Sequence, residues 1–150
     1  MGTVKAMLEH LKGKRVYFDT NPFIYFVEEH DIFYEAVKPL FQMVLDDTIV
    51  AYTSEFTLTE TLIKPYKDKD QATIEAFTGL LLDSGYFSLL GADKNTFLTA
   101  AKVGGETMMR TPDALHMTTA LENHCDFFIT NDKRIRNYET VKVIQVSELL

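Results

Sequence analysis

Arg15-Val16-Tyr17-Phe18-Asp19-Thr20-Asn21-Pro22 is the stretch from which the fold is read. Three apolar residues in a row, bounded by charge on both sides, make a short strand buried in a core. Asn21-Pro22 breaks it, and Pro22 suits the first turn of a following helix, where a missing N–H costs nothing. Asp19 sits directly behind the apolar run, where a carboxylate is costly unless it is paired or wet. That makes it the first candidate functional residue.

Outward from this stretch the same pattern repeats. Apolar runs at Ile49 to Tyr52, Tyr86 to Leu90, Asp126 to Thr130 and Val141 to Val146 read as further strands. Between them lie segments of helical periodicity. Ile32 to Leu45 is one, interrupted by Pro39. A second is capped by Thr53-Ser54 and stopped at Lys64 by Pro65. A third follows the polar Tyr66 to Gln71 and runs through Leu82. Asp93 to Val103 ends at Gly104-Gly105, and Thr111-Pro112 opens a helix to about His124. Asp132 to Arg136 reads as a short helical turn. Strands alternating with helices indicate a parallel sheet covered on both faces. No domain boundary interrupts residues 1–150, so a single domain is expected. Val4, Met7, Leu8 and Leu11 make residues 1–14 an N-terminal amphipathic helix ahead of the first strand.

Composition narrows the class. The chain is 46% hydrophobic and 25% charged, with 11 Phe and 7 Tyr, enough to fill a core. The single cysteine, Cys125, can form no internal disulfide, which suits a reducing compartment. The first residues lack the apolar centre of a signal peptide, and Ala6 stands where a myristoylation signal wants Ser or Thr. No stretch approaches the roughly 20 apolar residues that span a bilayer. A cytoplasmic chain with no membrane association is the expectation. A net charge of −7 disfavours a generic nucleic-acid binder, because phosphate neutralisation drives such binding. An anionic substrate would need a local basic rim or bound cations.

Four acids belong together by position. Ligands of open α/β sheets bind beyond the C-terminal strand ends. Asp19 ends the first strand, Asp132 follows the strand ending at Thr130, Glu60 lies in the helix after the second strand, and Asp113 opens the helix at Thr111-Pro112. Singly, Asp113 is also explained by the positive end of its helix, Asp132 by a cap, and Glu60 by an exposed helix face. A capping box begun at Ser54 would want its acid at position 57, which is Thr57. If the four converge, two carboxylates about 5 Å apart repel by roughly 3 kcal/mol at an effective dielectric near 20. Such a group takes up protons or binds hard cations such as Mg²⁺ or Mn²⁺.

Four segments carry a family resemblance: Val16 to Asn21, Thr53 to Glu60, Arg110 to His116 and Asp126 to Asp132. In their order and spacing, from about Arg15 to Val146, the chain resembles PIN-domain ribonucleases, and within them the VapC toxins of toxin–antitoxin pairs. The resemblance implies a three-layer α/β/α sandwich with a central parallel sheet. It implies RNA phosphodiester cleavage that needs one or two Mg²⁺ or Mn²⁺ ions. Asp19, Glu60, Asp113 and Asp132 match the family's acidic quartet, both as catalytic groups and as metal ligands. Asn21 and Thr130 match its small polar neighbours, and Glu55 is a decoy beside Glu60. A homodimer and a small antitoxin are the implied partners. Met1 to Lys14 departs from the pattern by preceding the usual opening strand.

Around the quartet, Arg110 and the cluster Lys133, Arg134 and Arg136 are the candidate RNA contacts, although a solvated charge run explains them equally. Lys64, Lys67 and Lys69 form a second, more distant cluster. His116 shares a helical face with Asp113 and reads first as a residue hydrogen-bonded beneath the acids. His124 and Cys125 lack the partners of a zinc site. Three alternatives stay open: a haloacid-dehalogenase-like phosphatase using Asp19 as nucleophile, although Asn21 stands where its second Asp belongs; a receiver domain, although the acidic pair near the first strand and the late strand-end Lys that it wants are not seen here; and a non-catalytic PIN scaffold. Within the nuclease reading, a stand-alone RNA-processing enzyme is the alternative to a toxin.

Overall fold

The computed structural model describes residues 2–150; Met1, the first residue of the expected N-terminal extension, lies outside them. Five strands form one sheet: β1 (Arg15–Phe18), β2 (Val50–Ser54), β3 (Phe87–Leu90), β4 (Phe127–Thr130) and β5 (Lys142–Gln145), in the order β3-β2-β1-β4-β5. Every pairing is parallel, with Val16 beside Ala51 on one side and Phe127 on the other. The opening stretch is therefore the central strand, which is why it carries no polar residue between Arg15 and Asp19.

Alternation along β1 sends its side chains to two cores. Val16 and Phe18 join Phe23, Phe41, Phe77, Phe87 and Ile129 on one face. Tyr17 joins Tyr52, Val103, Met117 and Phe128 on the other. The first core is covered by α1 (Gly2–Leu11), α2 (Thr20–Val27), α3 (Tyr34–Leu45), α4 (Phe56–Lys67) and α5 (Gln71–Thr78). The second is covered by α6 (Lys94–Thr107) and α7 (Thr111–Glu122). This is the expected α/β/α sandwich. A π-helical turn (Gly79–Asp83) extends α5, and a 3₁₀ turn (Val146–Leu149) follows β5.

Four local expectations fail. Pro39 lies inside α3 without ending it. The carbonyl that loses its partner belongs to Glu35, which is exposed to solvent. Pro65 lies inside α4, which runs on to Lys67; it is buried, so packing outweighs the lost bond. Gly104 and Gly105 continue α6 to Thr107, and the helix ends instead at Met108, in the left-handed conformation with φ 65°. Residues 132–136 form a turn and no helix.

The outer strand β5 is finished by side chains. Its two amides facing away from β4 donate to side-chain acceptors: Val143 N to Asn137 Oδ1 at 2.7 Å and Gln145 N to Glu148 Oε1 at 2.9 Å. No described helix is long and apolar enough to cross a membrane.

Candidate functional site

All four acids of the quartet face the C-terminal edge of the sheet, each delivered by a different element. Asp19 continues β1, its amide donating to Ile129 O, and it caps α2 by accepting Thr20 N at 2.7 Å. Its other oxygen, Oδ2, accepts the Thr130 hydroxyl at 2.7 Å. Both oxygens are thus fixed on a buried carboxylate. Thr130 also accepts the amide of Asp132 at 3.1 Å, so one threonine ties the first and last acids together.

Glu60 reaches the edge from α4 and is clamped through a single oxygen. Oε1 accepts Thr20 Oγ1 at 2.6 Å and His116 Nε2 at 2.8 Å. Burial pushes its pKa up, but the bonds from His116 and Thr20, helped by nearby positive charge, outweigh burial and hold it below the ordinary carboxylate value. Oε2 accepts no hydrogen bond from the described residues.

His116 is 1% exposed, stands on α7 and touches three more polar groups. Its Nδ1 lies 2.6 Å from Tyr17 Oη, and its Nε2 lies 3.3 Å from Thr20 Oγ1 and 3.4 Å from Asp19 Oδ1. Its ring stacks on Phe56 at 4.3 Å. Burial, and then the charge of Asp19, raise Tyr17 well above the ordinary tyrosine value, so its hydroxyl keeps its hydrogen. Sequence reading placed His116 under the acids; it missed Tyr17 and Thr20, which lie in the opening stretch itself. The alternating faces of β1 were a usable signal for Tyr17.

Asp113 and Asp132 form the second half of the site. Asp113 opens α7, and its pKa is raised by burial first and then by the charge of Asp19, with Asp132 adding to the effect and Arg110 opposing it. Asp132 is held below the ordinary value chiefly by hydrogen bonds from Arg134. Arg134 donates Nε and Nη2 to its two oxygens at 3.0 and 2.9 Å. Arg110 spans both acids, with Nε 3.4 Å from Asp113 and Nη2 3.6 Å from Asp132. Two of the four predicted RNA contacts are therefore paired with the quartet. Lys133 turns away to hydrogen-bond Ser147. Arg136 lines a cavity of about 500 Å³ with Arg134, Met108 and Met109. Asn21 touches no carboxylate; its Oδ1 accepts Asn131 N at 3.2 Å and so holds the loop that carries Asp132. Gln145 does the same from β5, donating to the carbonyls of Asp132 and Ile135.

As the side chains stand, no three described Asp, Glu, His or Cys residues form a ready-made ion cradle. The donor set nevertheless fits a hard divalent ion: carboxylates dominate it, no thiol is near, and two guanidinium groups already balance the crowded negative charge. Asp113, raised by burial first and then by its acidic neighbours, is the group a cation would relieve. Glu55 lies outside the set, exposed, its carboxylate against Gly91. Cys125 is buried, and burial pushes its thiol up to about 12. A cavity of about 770 Å³ between α1 and β5, lined by Met7, His10, Phe127 and Ile144, contains none of the quartet.

Comparison with known proteins agrees with this architecture. VapBC2 from Rickettsia felis, solved bound to a DNA fragment from its promoter, superposes with a TM-score of 0.64 at 13% identity, over 87% of this chain and 98% of that one. A toxin–antitoxin complex from Klebsiella pneumoniae gives 0.64 at 20% identity, over 84% and 94%. DNA-bound VapBC from Salmonella typhimurium gives 0.62 at 13% identity, over 89% and 98%. No curated protein sequence matches. The sequence profile of the PIN domain matches residues 16–141, from the second residue of β1 to the threshold of β5, and the chain belongs to the PIN domain family.

Proposed function

We propose that the chain is a Mg²⁺- or Mn²⁺-dependent endoribonuclease and the toxin of a toxin–antitoxin pair. The observation that carries the reading is the gathering of four carboxylates from four elements at the C-terminal edge of a PIN-family sheet, where His116 contacts Asp19 and Glu60, Thr130 bonds Asp19 and the Asp132 amide, and Arg110 spans Asp113 and Asp132. Asp19, Glu60, Asp113 and Asp132 would hold one or two ions. When bound, these would supply an activated water and neutralise charge on the phosphodiester. Glu60 Oε2 and Asp113 Oδ1, which accept no hydrogen bond from the described residues, are the oxygens readiest for that role.

The chain's own residues do the rest. Thr20 and Thr130 fix the orientation of Asp19, which keeps it in place as the surrounding charge changes. Arg110, with 61% of its side chain exposed beside Asp113 and Asp132, meets any phosphate that approaches them. Arg134 and Arg136 extend this basic rim along the backbone of a bound strand. The products would be a 5′-phosphate and a 3′-hydroxyl. The antitoxin and the homodimer come from likeness to the VapBC complexes and from the family pattern, and RNA in the cytoplasm is the matching substrate.

The test is cleavage of RNA by the purified chain with and without Mg²⁺ or Mn²⁺, beside Asp19→Asn. Cleavage should require the metal and vanish in the variant while its circular dichroism spectrum stays unchanged. A pure Asp19→Asn chain that cuts as fast as wild type removes Asp19 from the site. For the toxin role, expression should arrest growth, and co-expression of a short upstream reading frame should relieve the arrest. Failure of both leaves an RNA-processing nuclease acting alone.

A further inference from the structure

We infer that Tyr17 and His116 are positioning residues for Glu60: a buried hydrogen-bonded pair that locks one carboxylate oxygen and thereby presents the other to the metal. The inference rests on the nuclease reading.

Glu60 is the quartet member least constrained by its own backbone. It projects from α4 with three side-chain torsions, and its side chain is 31% exposed. Asp19 is held by the amide beside it, and Asp132 by its own turn. Freezing a long side chain in one rotamer has a substantial entropic cost, so something must hold it. The holding group comes from α7, 56 residues away in sequence.

The direction of each bond follows from the chemistry. The Glu60 carboxylate is an acceptor only. The hydrogen in the 2.8 Å contact therefore sits on His116 Nε2. The hydroxyl of the fully buried Tyr17 then gives its hydrogen to the free Nδ1 at 2.6 Å. The bond at one ring nitrogen sets the state of the other. The Phe56 face fixes the plane of the ring. Tyr17 is itself fully buried and stacked on Phe128 at 5.1 Å. Rigidity thus passes from the central strand, through an imidazole, to a carboxylate on a helix of the opposite layer. All of the fixing falls on Oε1, where Thr20 adds a bond at 2.6 Å, and Oε2 is left unbonded.

Partners that orient a metal ligand typically change metal affinity about 10–100-fold when removed. The experiment measures Mn²⁺ affinity of the full chain without RNA, from the free-ion signal in electron paramagnetic resonance. His116→Leu should weaken Mn²⁺ binding about 10-fold or more, while His116→Gln, whose amide restores a donor to Glu60, should recover most of it. Tyr17→Phe should fall between them. In a Glu60→Gln background His116→Leu should cost no further affinity, an outcome that general loosening of the core would not produce. Val103→Ala, a core truncation away from the acids, should lower the melting temperature without moving the Mn²⁺ affinity. If His116→Leu does not fold, Tyr17→Phe and His116→Gln carry the test. Wild-type chain that binds no Mn²⁺ sinks the nuclease reading and this inference with it. Wild-type binding with Tyr17→Phe and the His116 variants unmoved, or an equal loss in the Glu60→Gln background, sinks the inference alone.

Discussion

Asp113 is the residue at which stability and activity oppose each other. Its carboxyl titrates higher in the folded chain than in an unfolded one, through burial and the nearby charge of Asp19. The proton-bearing form is therefore the one the fold favours. That contribution is fully present below the unfolded carboxylate value and is lost as pH rises through the raised value. At neutral pH the ionised group opposes folding. Asp113→Asn should then raise the melting temperature at pH 7 by about 2–4 °C while removing cleavage. The gap should close as pH falls below the raised value, and a variant that melts lower at every pH contradicts the assignment. Asp132 has the opposite sign. Arg134 holds it low, so its contribution exists above the ordinary value and fades as pH falls through the lowered one. The pair is exposed on the arginine side, which keeps that contribution small. Asp19, Asp113 and Asp132 stood out in the sequence because each follows a strand end or opens a helix, whereas Glu60, inside α4, was picked out by the family resemblance. Their different burdens were not legible there, because these depend on which neighbours the topology brings close.

Elements show the same division. The strands were legible because runs such as Val16-Tyr17-Phe18 and Phe127-Phe128-Ile129 have no surface solution. Pro39 was misread as an interruption, and Pro65 and Gly104-Gly105 as helix ends, because packing and solvent exposure compensate for what a breaker removes locally. Tyr17 and His116 are 99 residues apart, and only the β1–α7 packing makes them partners. The loop after β4 depends on donors and acceptors from two other elements, Asn21 on α2 and Gln145 on β5. Asn21→Ala leaves the Asn131 amide without its partner, at a cost of about 1 kcal/mol. It should raise hydrogen exchange across residues 131–135 and slow RNA cleavage about 10-fold, as losses behind a metal ligand do. Unchanged exchange in that loop would show that Gln145 holds it alone.

For the molecule as a whole, a net charge of −7 must be reconciled with the anionic substrate proposed above. The local charge bears on it: Arg110 and Arg134 are paired with Asp113 and Asp132, Arg136 shares a cavity with Arg134, and Lys133 is turned to Ser147. RNA binding measured in a chelator should be weak and modestly salt-dependent. Arg110→Gln should reduce the slope of log affinity against log salt by about 1. An unaltered slope removes Arg110 from the interface. One five-stranded sheet serves both cores, which share every strand.

The outer strand β5 has a consequence for company. Asn137 and Glu148 already use the amides it would offer to a neighbour. A foreign strand that arrives there finds no template to zip onto, so that border resists the edge-to-edge growth that ends in fibrils. A partner at that border, second copy or antitoxin, must be recognised through side chains: shape and charge, which selection can tune, in place of backbone, which any peptide can supply.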